Sequence, residues 1–310
     1  MKYPEFLHSH GTIALVAPSF GAATEPYKSM LDSARQKFRA MNYFLRIGPN
    51  CYLGRGTGIS STPQRCAQEL RTAYTSPRND VIISVGGGEL MCEILDDIDF
   101  NKLKDAQPRW FMGFSDNTNF TFLLTTLCDT ASIYGPCATA FGMEPWHASL
   151  YDALGLLTGQ KLSFDSYGLW EKESLRDETH PLLPYHLTEN EQLTLVNTRG
   201  GFLSMKGRLL GGCMDCLENL IGTEYDHVAA FNHTYGGDGI LWFLEACDLN
   251  VMSIRRTLWH MEHAGWFTHA SGFLIGRPAS GDAMMGLDHI RAVTDILGKY
   301  HVSILLDADL

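Results

Sequence analysis

The sequence predicts a two-lobed α/β protein, and three observations lead to that prediction. Short apolar runs alternate with longer amphipathic segments, which is typical of β-α-β units in a parallel sheet. This rhythm is lost between about residues 145 and 200 and resumes afterwards. The chain has 310 residues, and single cores stop growing near ~250–300 residues. We expect an N-terminal domain with a doubly wound, mostly parallel sheet over residues 1–150, a connecting segment over 151–200 and a C-terminal α/β domain over 201–310.

The strands of the first lobe are predicted from short apolar runs. Residues 13–17 form an uninterrupted apolar run that ends at Pro18, as expected for a strand buried on both faces. Ser61-Thr62-Pro63 predicts a helix start, because a hydroxyl can cap the first turn and proline fits there. The same reasoning predicts further strands over 43–47, 80–85, 109–114 and 132–134, and further helices over 25–41 and 117–128.

The second lobe shows the same alternation. Its clearest helix is predicted over residues 251–261, where apolar residues recur at intervals of three and four and therefore share one face. Strands are predicted where the alternation resumes at 207–212 and over 240–247, 271–275 and 302–306, and a further helix over 287–297. The two lobes are expected to enclose a cleft.

Composition and charge exclude several classes of protein. Hydrophobic residues make up 45% of the chain, which is enough for a packed core and excludes a disordered chain. The 35 acidic residues against 24 lysines and arginines give 24 − 35 = −11, and no basic cluster offsets that charge. General nucleic-acid binding is therefore excluded. No apolar stretch reaches the ~18–20 residues of a membrane span, and the N-terminus lacks a signal-peptide pattern.

The cysteines favour a reducing compartment. All eight are scattered, without the density of a disulfide-stabilised scaffold, so the cytoplasm is the expected location. Cys213 and Cys216 have the C-x-x-C spacing of half a zinc site. A zinc site needs further ligands, and none is evident at ligand spacing. We therefore expect these two thiols to pack beside a helix and the protein to require neither a metal nor another cofactor.

Residues 110–120 carry the sharpest chemical signal. An apolar strand runs directly into Ser115, and a helix follows at once. Side chains at the carboxyl ends of parallel strands lie where open α/β folds bind their ligands. N–H groups at the start of a helix favour developing negative charge, so the amide of Asp116 is a candidate oxyanion donor. The Gly-Phe-Ser-Asp motif differs from the G-x-S-x-G of a nucleophile elbow, and a simple helix cap at Ser115 or Asp116 is the alternative.

Two further features could complete such a site. Gly86-Gly87-Gly88 closes a strand and could present bare N–H groups to an anion, although it matches neither a dinucleotide nor a phosphate-loop fingerprint. Glu245 comes near the end of an apolar strand, where a carboxylate is costly to desolvate without a partner. It is a candidate for orienting a base, and a solvent-facing side chain is the alternative. None of the downstream histidines has an evident reason to meet Ser115.

In their order and spacing, these motifs resemble the LD-carboxypeptidase family of serine peptidases, which includes the microcin-C self-immunity peptidases. The resemblance covers nearly the whole chain. The segments that carry it are Val16-Ala-Pro-Ser19, Arg65, Ser84-Val-Gly-Gly87, Gly113-Phe-Ser-Asp116, Tyr134-Gly-Pro136, Gly207-Arg-Leu-Leu-Gly-Gly212, Phe243-Leu-Glu-Ala-Cys247 and Gly272-Phe-Leu-Ile-Gly-Arg-Pro278.

The resemblance implies a Ser-His-Glu triad in the cleft between the lobes. Ser115 matches the nucleophile and Glu245 the orienting carboxylate, while the amides of Asp116 and Gly87 match the oxyanion hole. It also implies a homodimer that releases the terminal D-amino acid from murein tetrapeptides. The alternatives are the immunity branch, which cleaves aminoacyl or peptidyl nucleotides, and a catalytically inactive two-lobed binding protein.

The catalytic histidine is where this sequence departs from the family. The family's histidine follows the last strand, whereas this sequence stops at Leu310. We expect the sequence to end just before the base and to be inactive as it stands. Recruitment of His301 is the alternative.

Substrate contacts are less well defined by the sequence. Tyr167 and Trp170 could stack a purine, as aromatic residues of the connecting segment do in the immunity branch, or could simply pack at the surface or in a dimer. Arg199 and Arg277 are candidate anchors for a substrate carboxylate, since the chain as a whole is acidic.

Overall fold

The computed structural model describes residues 1–198 and 203–310. These residues form two compact units, Met1–Asn190 and Glu191–Leu310. Each unit has its own β-sheet, helices and buried residues, so the two units are described in turn. None of the helices in the described ranges is long and apolar enough to cross a membrane.

The N-terminal unit is built on a four-stranded parallel sheet with the strand order β2-β1-β3-β4. Its strands are β1 (Thr12–Val16), β2 (Phe44–Ile47), β3 (Val81–Ser84) and β4 (Trp110–Met112). Its helices are α1 (Tyr27–Ala40), α2 (Pro63–Thr75), α3 (Phe100–Asp105), α4 (Thr118–Thr126) and α5 (Ala148–Leu157). A separate antiparallel pair, β5 (Leu169–Glu171) and β6 (Leu187–Asn190), lies in the segment expected to connect the lobes.

The local sequence explains why these elements form. β3 and β4 are buried at every position, as their apolar runs predict. The side chain of Thr62 caps α2 by accepting from the backbone N–H of Arg65, and Pro63 occupies the first helical position, where its missing N–H costs nothing. The predicted start of this helix is thus confirmed.

The strand order places a topological switch point between β1 and β3. From β1 the chain turns to one side to form β2, and then crosses to the other side to form β3 and β4. Ligands of open α/β sheets bind outside the carboxyl ends of the strands at such a point. The residues that follow β1, β3 and β4 there are Ser19, Gly86 to Gly88 and Ser115.

The C-terminal unit contains a five-stranded sheet with the order β7-β11-β10-β9-β8. Its strands are β7 (Thr194–Val196), β8 (Arg208–Cys213), β9 (Ile240–Glu245), β10 (Ala270–Gly276) and β11 (Ile304–Ala308). Its helices are α6 (Met214–Leu220), α7 (Val228–Tyr235), α8 (Val251–His263) and α9 (His289–Leu297). β8 to β11 are parallel, and β7 is antiparallel to β11.

The predicted fold class is confirmed, but one predicted strand does not form. Residues 132–134 are not a strand, since Ile133 makes only an isolated parallel bridge to Met112. Tyr134 uses its side chain in the site described below, and Pro136 has no N–H to extend a ladder.

Candidate active site

Ser115 lies on a sharp turn between β4 and α4. A 3₁₀ turn over Ser115–Asn117 connects the strand to the helix. The φ angle of Ser115 is 60°, in the left-handed region that costs a non-glycine residue about 1–3 kcal/mol. The N-cap positions of the turn and of α4 are Phe114 and Asn117, so Ser115 caps neither element. A strained serine between a parallel strand and a helix has the geometry of a nucleophile elbow.

Two side chains hold this turn in place. The hydroxyl of Tyr134 accepts the backbone N–H of Ser115 at 2.9 Å. The Asn117 Nδ2 group donates to the Phe114 carbonyl at 3.0 Å and to the Gly86 carbonyl at 2.9 Å. Asn117 therefore ties the turn to the glycine run that follows β3. These bonds help to offset the strain at Ser115.

Gly87 lies directly against the candidate nucleophile. A Cβ atom built on Gly87 would be 3.1 Å from the Ser115 Cβ and 3.2 Å from its Oγ. The Gly87 carbonyl accepts the N–H of Phe20 at 2.8 Å, while the Gly87 N–H meets no acceptor among the described residues. The absence of a side chain therefore lets a backbone N–H approach the serine, as an oxyanion donor must.

Alanine substitutions at the two neighbouring glycines should separate their roles. We expect Gly87→Ala to lower kcat/KM by about 100-fold, because the new methyl group would push the Ser115 hydroxyl out of position. Gly86→Ala is the matched control, since a Cβ there would meet nothing closer than the Phe20 carbonyl oxygen at 3.4 Å. Steady-state kinetics gives kcat/KM for both variants, and the rate at which a fluorophosphonate probe labels Ser115 reports on the serine hydroxyl in each. An equal loss in the two variants would refute the assignment of Gly87.

The carboxylate of Asp116 joins three segments of the N-terminal unit. Its Oδ2 accepts from the hydroxyl of Ser19, after β1, and from the backbone N–H of Met91 at 2.9 Å, after the glycine run. Its Oδ1 accepts from Asn119 Nδ2 at 3.0 Å. Burial raises the pKa of Asp116, and the hydrogen bonds from Ser19 and Met91 act in the opposite direction. The side chain thus fixes the backbone whose amide is the candidate oxyanion donor.

Removing the charge of Asp116 should destabilise the N-terminal unit. In Asp116→Asn either amide orientation places an NH₂ group against a donor, so we expect a loss of about 1–3 kcal/mol in the free energy of unfolding. Urea denaturation measures it. Asp105→Asn is the control, because Asp105 is an exposed carboxylate at the end of α3. If both variants unfold at the same urea concentration, the network around Asp116 contributes nothing measurable.

A second buried carboxylate supports the loop after β1. Glu69, on α2, accepts the backbone N–H of Ala17 and that of Asn50, both at 2.8 Å. Burial raises the pKa of Glu69, while these two bonds lower it. Because Ala17 precedes Ser19 by two residues, Glu69 helps to hold the hydroxyl that donates to Asp116.

Glu245 is the last residue of β9 in the C-terminal unit, as the sequence predicts, and it is half-buried. It pairs with Cys213 at the end of β8. On the β10 side, a Cβ built on Gly276 would lie 2.7 Å from the Glu245 Cβ, so only glycine leaves room for this side chain. Glu245 therefore sits at the carboxyl edge of its sheet, between two neighbouring strands.

The same sheet argues against His301 as the base. β9, β10 and β11 are parallel, and His301 precedes β11, which begins at Ile304. His301 therefore lies at the amino edge of the sheet, whereas Glu245 lies at the carboxyl edge. A five-residue strand separates these edges by about 16 Å. This separation contradicts the alternative in which His301 acts beside Glu245.

The structure gives hydrogen-bond partners to two of the residues that the sequence offers as substrate contacts, Arg277 and Tyr167. Arg277 donates to the Asp309 carboxylate at 2.8 Å and to the Asp307 carbonyl at 3.1 Å, so it fastens the end of β11. Arg199 lies outside the described residues. The Tyr167 hydroxyl donates to Asp152 at 2.8 Å.

The aromatic residues of the connecting segment have neighbours of their own. The ring of Tyr167 packs edge-on against His147, with centroids 5.2 Å apart. Trp170 lies on β5, and its indole N–H donates to the Asn190 carbonyl at 3.2 Å. Both residues thus have partners within the N-terminal unit.

A groove elsewhere in the N-terminal unit is not the candidate site. It has a volume of about 670 Å³ and lies between β2 and α2, with Arg46, Glu69 and Asn79 among its lining residues. Neither Ser115 nor the glycine run contributes to it. We place the candidate site at the elbow, because there a candidate nucleophile lies beside potential oxyanion donors.

Sequence reasoning missed the side chains that support the elbow. Ser19 and Tyr134 belong to motifs of the family resemblance, but no role could be assigned to either. Asn117 and Asn119 carried a usable signal, because two amides at the start of a helix that also contains two phenylalanines and two leucines need buried partners.

The fold and the elbow define the class, an α/β protein with a strained serine at the carboxyl end of a parallel sheet. Sequence comparison then gives the family. The N-terminal domain of LD-carboxypeptidases matches residues 13–135, and the C-terminal domain of the same enzymes matches residues 206–310. The chain belongs to the LD-carboxypeptidase family, as the motifs suggested, and is a hydrolase of that family.

Individual relatives are distant but extend over most of the chain. The murein tetrapeptide carboxypeptidase of Pseudomonas aeruginosa is 22% identical over 253 residues, covering 81% of this chain and 71% of that protein. A Streptomyces coelicolor protein assigned as a carboxypeptidase is 24% identical over 301 residues, covering 92% and 84%.

Solved structures share the fold. The microcin C7 self-immunity protein MccF, in complex with glutamyl sulfamoyl guanosine, superposes with a TM-score of 0.80 at 19% identity, covering 99% of this chain and 90% of that one. An MccF-like protein from Bacillus anthracis gives 0.81 at 20% identity, covering 100% and 91%.

Proposed function

We propose that the protein is a serine peptidase that releases the terminal D-amino acid from murein tetrapeptides. The observation that carries this proposal is the strained Ser115 at the end of β4, with the Gly87 backbone directly beside its hydroxyl. Membership of the LD-carboxypeptidase family and the similarity to a murein tetrapeptide carboxypeptidase support the substrate class.

In the proposed mechanism, Ser115 Oγ attacks the carbonyl carbon of the scissile amide while a histidine takes its proton. The Glu245 carboxylate holds the imidazole in the required tautomer and stabilises its protonated form. The tetrahedral intermediate collapses when the histidine returns the proton to the leaving amine. Water then attacks the acyl-enzyme in the same way and releases Ser115.

The backbone amides of Gly87 and Asp116 are proposed to bind the oxyanion. Each donor of this kind contributes about 3–4 kcal/mol to the stability of the transition state. The elbow supports this role, because it places the start of the 3₁₀ turn beside the serine, where helix-type N–H groups favour negative charge. The carboxylate of Asp116 then has a separate task, which is to fix that backbone through Ser19 and Met91.

Hydrolysis of aminoacyl or peptidyl nucleotides is the second candidate function. It is favoured by the structural similarity to MccF, which has been solved with glutamyl sulfamoyl guanosine and with aspartyl sulfamoyl adenosine. An aromatic side chain in the connecting segment would have to stack the base. Tyr167 and Trp170 are the candidates in this segment, and each has a hydrogen-bond partner of its own in the N-terminal unit.

The two functions are separated by incubating the full-length protein with a murein tetrapeptide and with an aminoacyl sulfamoyl adenosine. Mass spectrometry of the products should show release of D-alanine from the tetrapeptide, at a kcat/KM well above that for the nucleotide. The reverse ranking would favour the nucleotide hydrolase. If neither substrate is cleaved and a fluorophosphonate probe fails to label Ser115, the chain is the inactive binding protein of the third alternative.

Two further properties stay predictions, the first from the family resemblance and the second from the scattered cysteines. We propose a homodimer, which light scattering coupled to size-exclusion chromatography would test, and a cytoplasmic location, which cell fractionation would test.

A further inference from the structure

One carboxylate in the C-terminal unit binds both the end of the strand beside Glu245 and the loop that follows Glu245. Asp215 lies in the first turn of α6, two residues after the end of β8. Its two oxygens accept three consecutive backbone N–H groups, those of residues 247–249, at 3.0, 2.9 and 3.2 Å. Its Oδ2 also accepts the thiol of Cys213 at 3.4 Å. Four donors therefore converge on one side chain.

This arrangement requires a negative charge. Successive backbone N–H groups that point to one place form a concave anion site, and hydrogen bonds to an ionised acceptor are roughly twice as strong as neutral ones. The first turn of α6 adds a favourable dipole for the charge of Asp215. An asparagine at this position would turn an NH₂ group toward at least one of the four donors.

The thiol remains a donor under ordinary conditions. The pKa of Cys213 is raised by its hydrogen bond with Cys216, by burial and by the charges of Glu245 and Asp215. Cys213 therefore stays protonated, and its thiol hydrogen lies within reach of Asp215. The C-x-x-C pair packs at the junction of β8 and α6, as the sequence predicted.

Asp215 binds two segments close to Glu245, one on the neighbouring strand and one later in the chain. Cys213 is the residue that pairs with Glu245 across β8 and β9. The three bound N–H groups begin two residues after Glu245, in the loop that leads to α8. The far end of that loop is fixed by Asn250, which caps α8 through the N–H groups of Met252 and Ser253.

We propose that Asp215 is a positioning residue, which sets the direction of the Glu245 carboxylate by binding Cys213 and the backbone of residues 247–249. This inference rests on the proposed function, since only there does Glu245 orient a histidine. Asp215 itself touches neither the substrate nor the reacting atoms. Its effect on catalysis is exerted through Glu245.

The test compares Asp215→Asn with Asp248→Asn in the full-length protein. Asp248 is an exposed carboxylate in the same loop, so its variant removes one charge and leaves the Asp215 side chain in place. In Asp215→Asn, hydrogen exchange at the amides of residues 247–249 should become faster. On a murein tetrapeptide, kcat should fall by about 10-fold to 100-fold with KM unchanged.

The pH profile distinguishes positioning from simple destabilisation. A misdirected Glu245 stabilises the imidazolium less, so the acid limb of kcat/KM should move to lower pH in Asp215→Asn and not in Asp248→Asn. A loss of folded protein would lower the whole profile without moving it.

The outcomes separate this inference from the function on which it rests. If hydrogen exchange at residues 247–249 is unchanged in Asp215→Asn, then Asp215 does not hold this backbone. The inference is then overturned whether or not the protein is active. Faster exchange with an unchanged kcat and acid limb would overturn the positioning role, provided that Glu245→Gln is inactive. If Glu245→Gln is fully active, the proposed function fails at Glu245, and positioning through Glu245 fails with it.

Discussion

Replacing Ser115 with alanine is expected to reduce kcat of the full-length protein on a murein tetrapeptide by about 10⁴–10⁶-fold. The physical reason is that the hydroxyl is the only group of this side chain that can form the acyl-enzyme. KM should change little, because Oγ contributes to the transition state far more than to substrate binding. Covalent labelling by a fluorophosphonate probe, read by intact-protein mass spectrometry, should disappear in the same variant.

The control for this experiment is Ser9→Ala, which removes an exposed hydroxyl from the same unit. Its kcat and labelling should equal those of the unmodified protein. Thermal unfolding of Ser115→Ala should also be close to normal, since the hydrogen bonds that Tyr134 and Asn117 make in the elbow involve backbone groups, which the substitution retains. A folded Ser115→Ala variant that still turned over the tetrapeptide would place the nucleophile elsewhere.

Replacing Glu245 with glutamine is expected to lower kcat by about 10⁴-fold. The amide is close to the carboxylate in size, so it fits the space left by Gly276 and preserves the pairing of β8 with β9. It cannot stabilise an imidazolium, and it can present an NH₂ group to the imidazole, which favours the wrong tautomer. Steady-state kinetics over a range of pH would show both the loss and a shift of the acid limb to lower pH.

Glu224→Gln is the matched control, because Glu224 is an exposed carboxylate in the same unit. We expect full activity from it. Labelling of Ser115 should fall in Glu245→Gln but not vanish, since the proposed nucleophile and both proposed oxyanion donors are still present. Equal activity in the two variants would show that Glu245 is a structural residue at the end of β9.

Much of the fold could be predicted from the sequence, because the signals for buried strands and for helix starts are local. The uninterrupted apolar run at residues 13–17 predicts a strand buried on both faces, and β1 is that strand. The hydroxyl and proline at residues 62 and 63 predict the start of α2. Residues 132–134 were predicted wrongly, because a three-residue apolar run does not reveal whether a partner strand is available.

The candidate site was only partly predictable, and the reason is again physical. A serine between an apolar strand and a helix indicates an elbow, but its positive φ angle and the hydrogen bonds of Tyr134 and Asn117 around it are seen only in the structure. The functional task of Asp116 was expected to lie in its amide, whereas the structure gives its carboxylate three partners, two of them from distant loops. Partners that are far apart in sequence leave no periodic trace.

The amino-acid sequence by itself determined the α/β class, the order of the strands along the chain and the placement of Ser115 and Glu245 at strand ends, since hydrophobic periodicity and turn residues act over a few positions. Only the tertiary structure decided which strands are neighbours and that Gly87 lies against Ser115. It also decided that Asp215 accepts hydrogen bonds from the backbone that follows Glu245. These contacts depend on register and close packing between segments up to about a hundred residues apart, where a few tenths of an ångström decide whether a side chain fits.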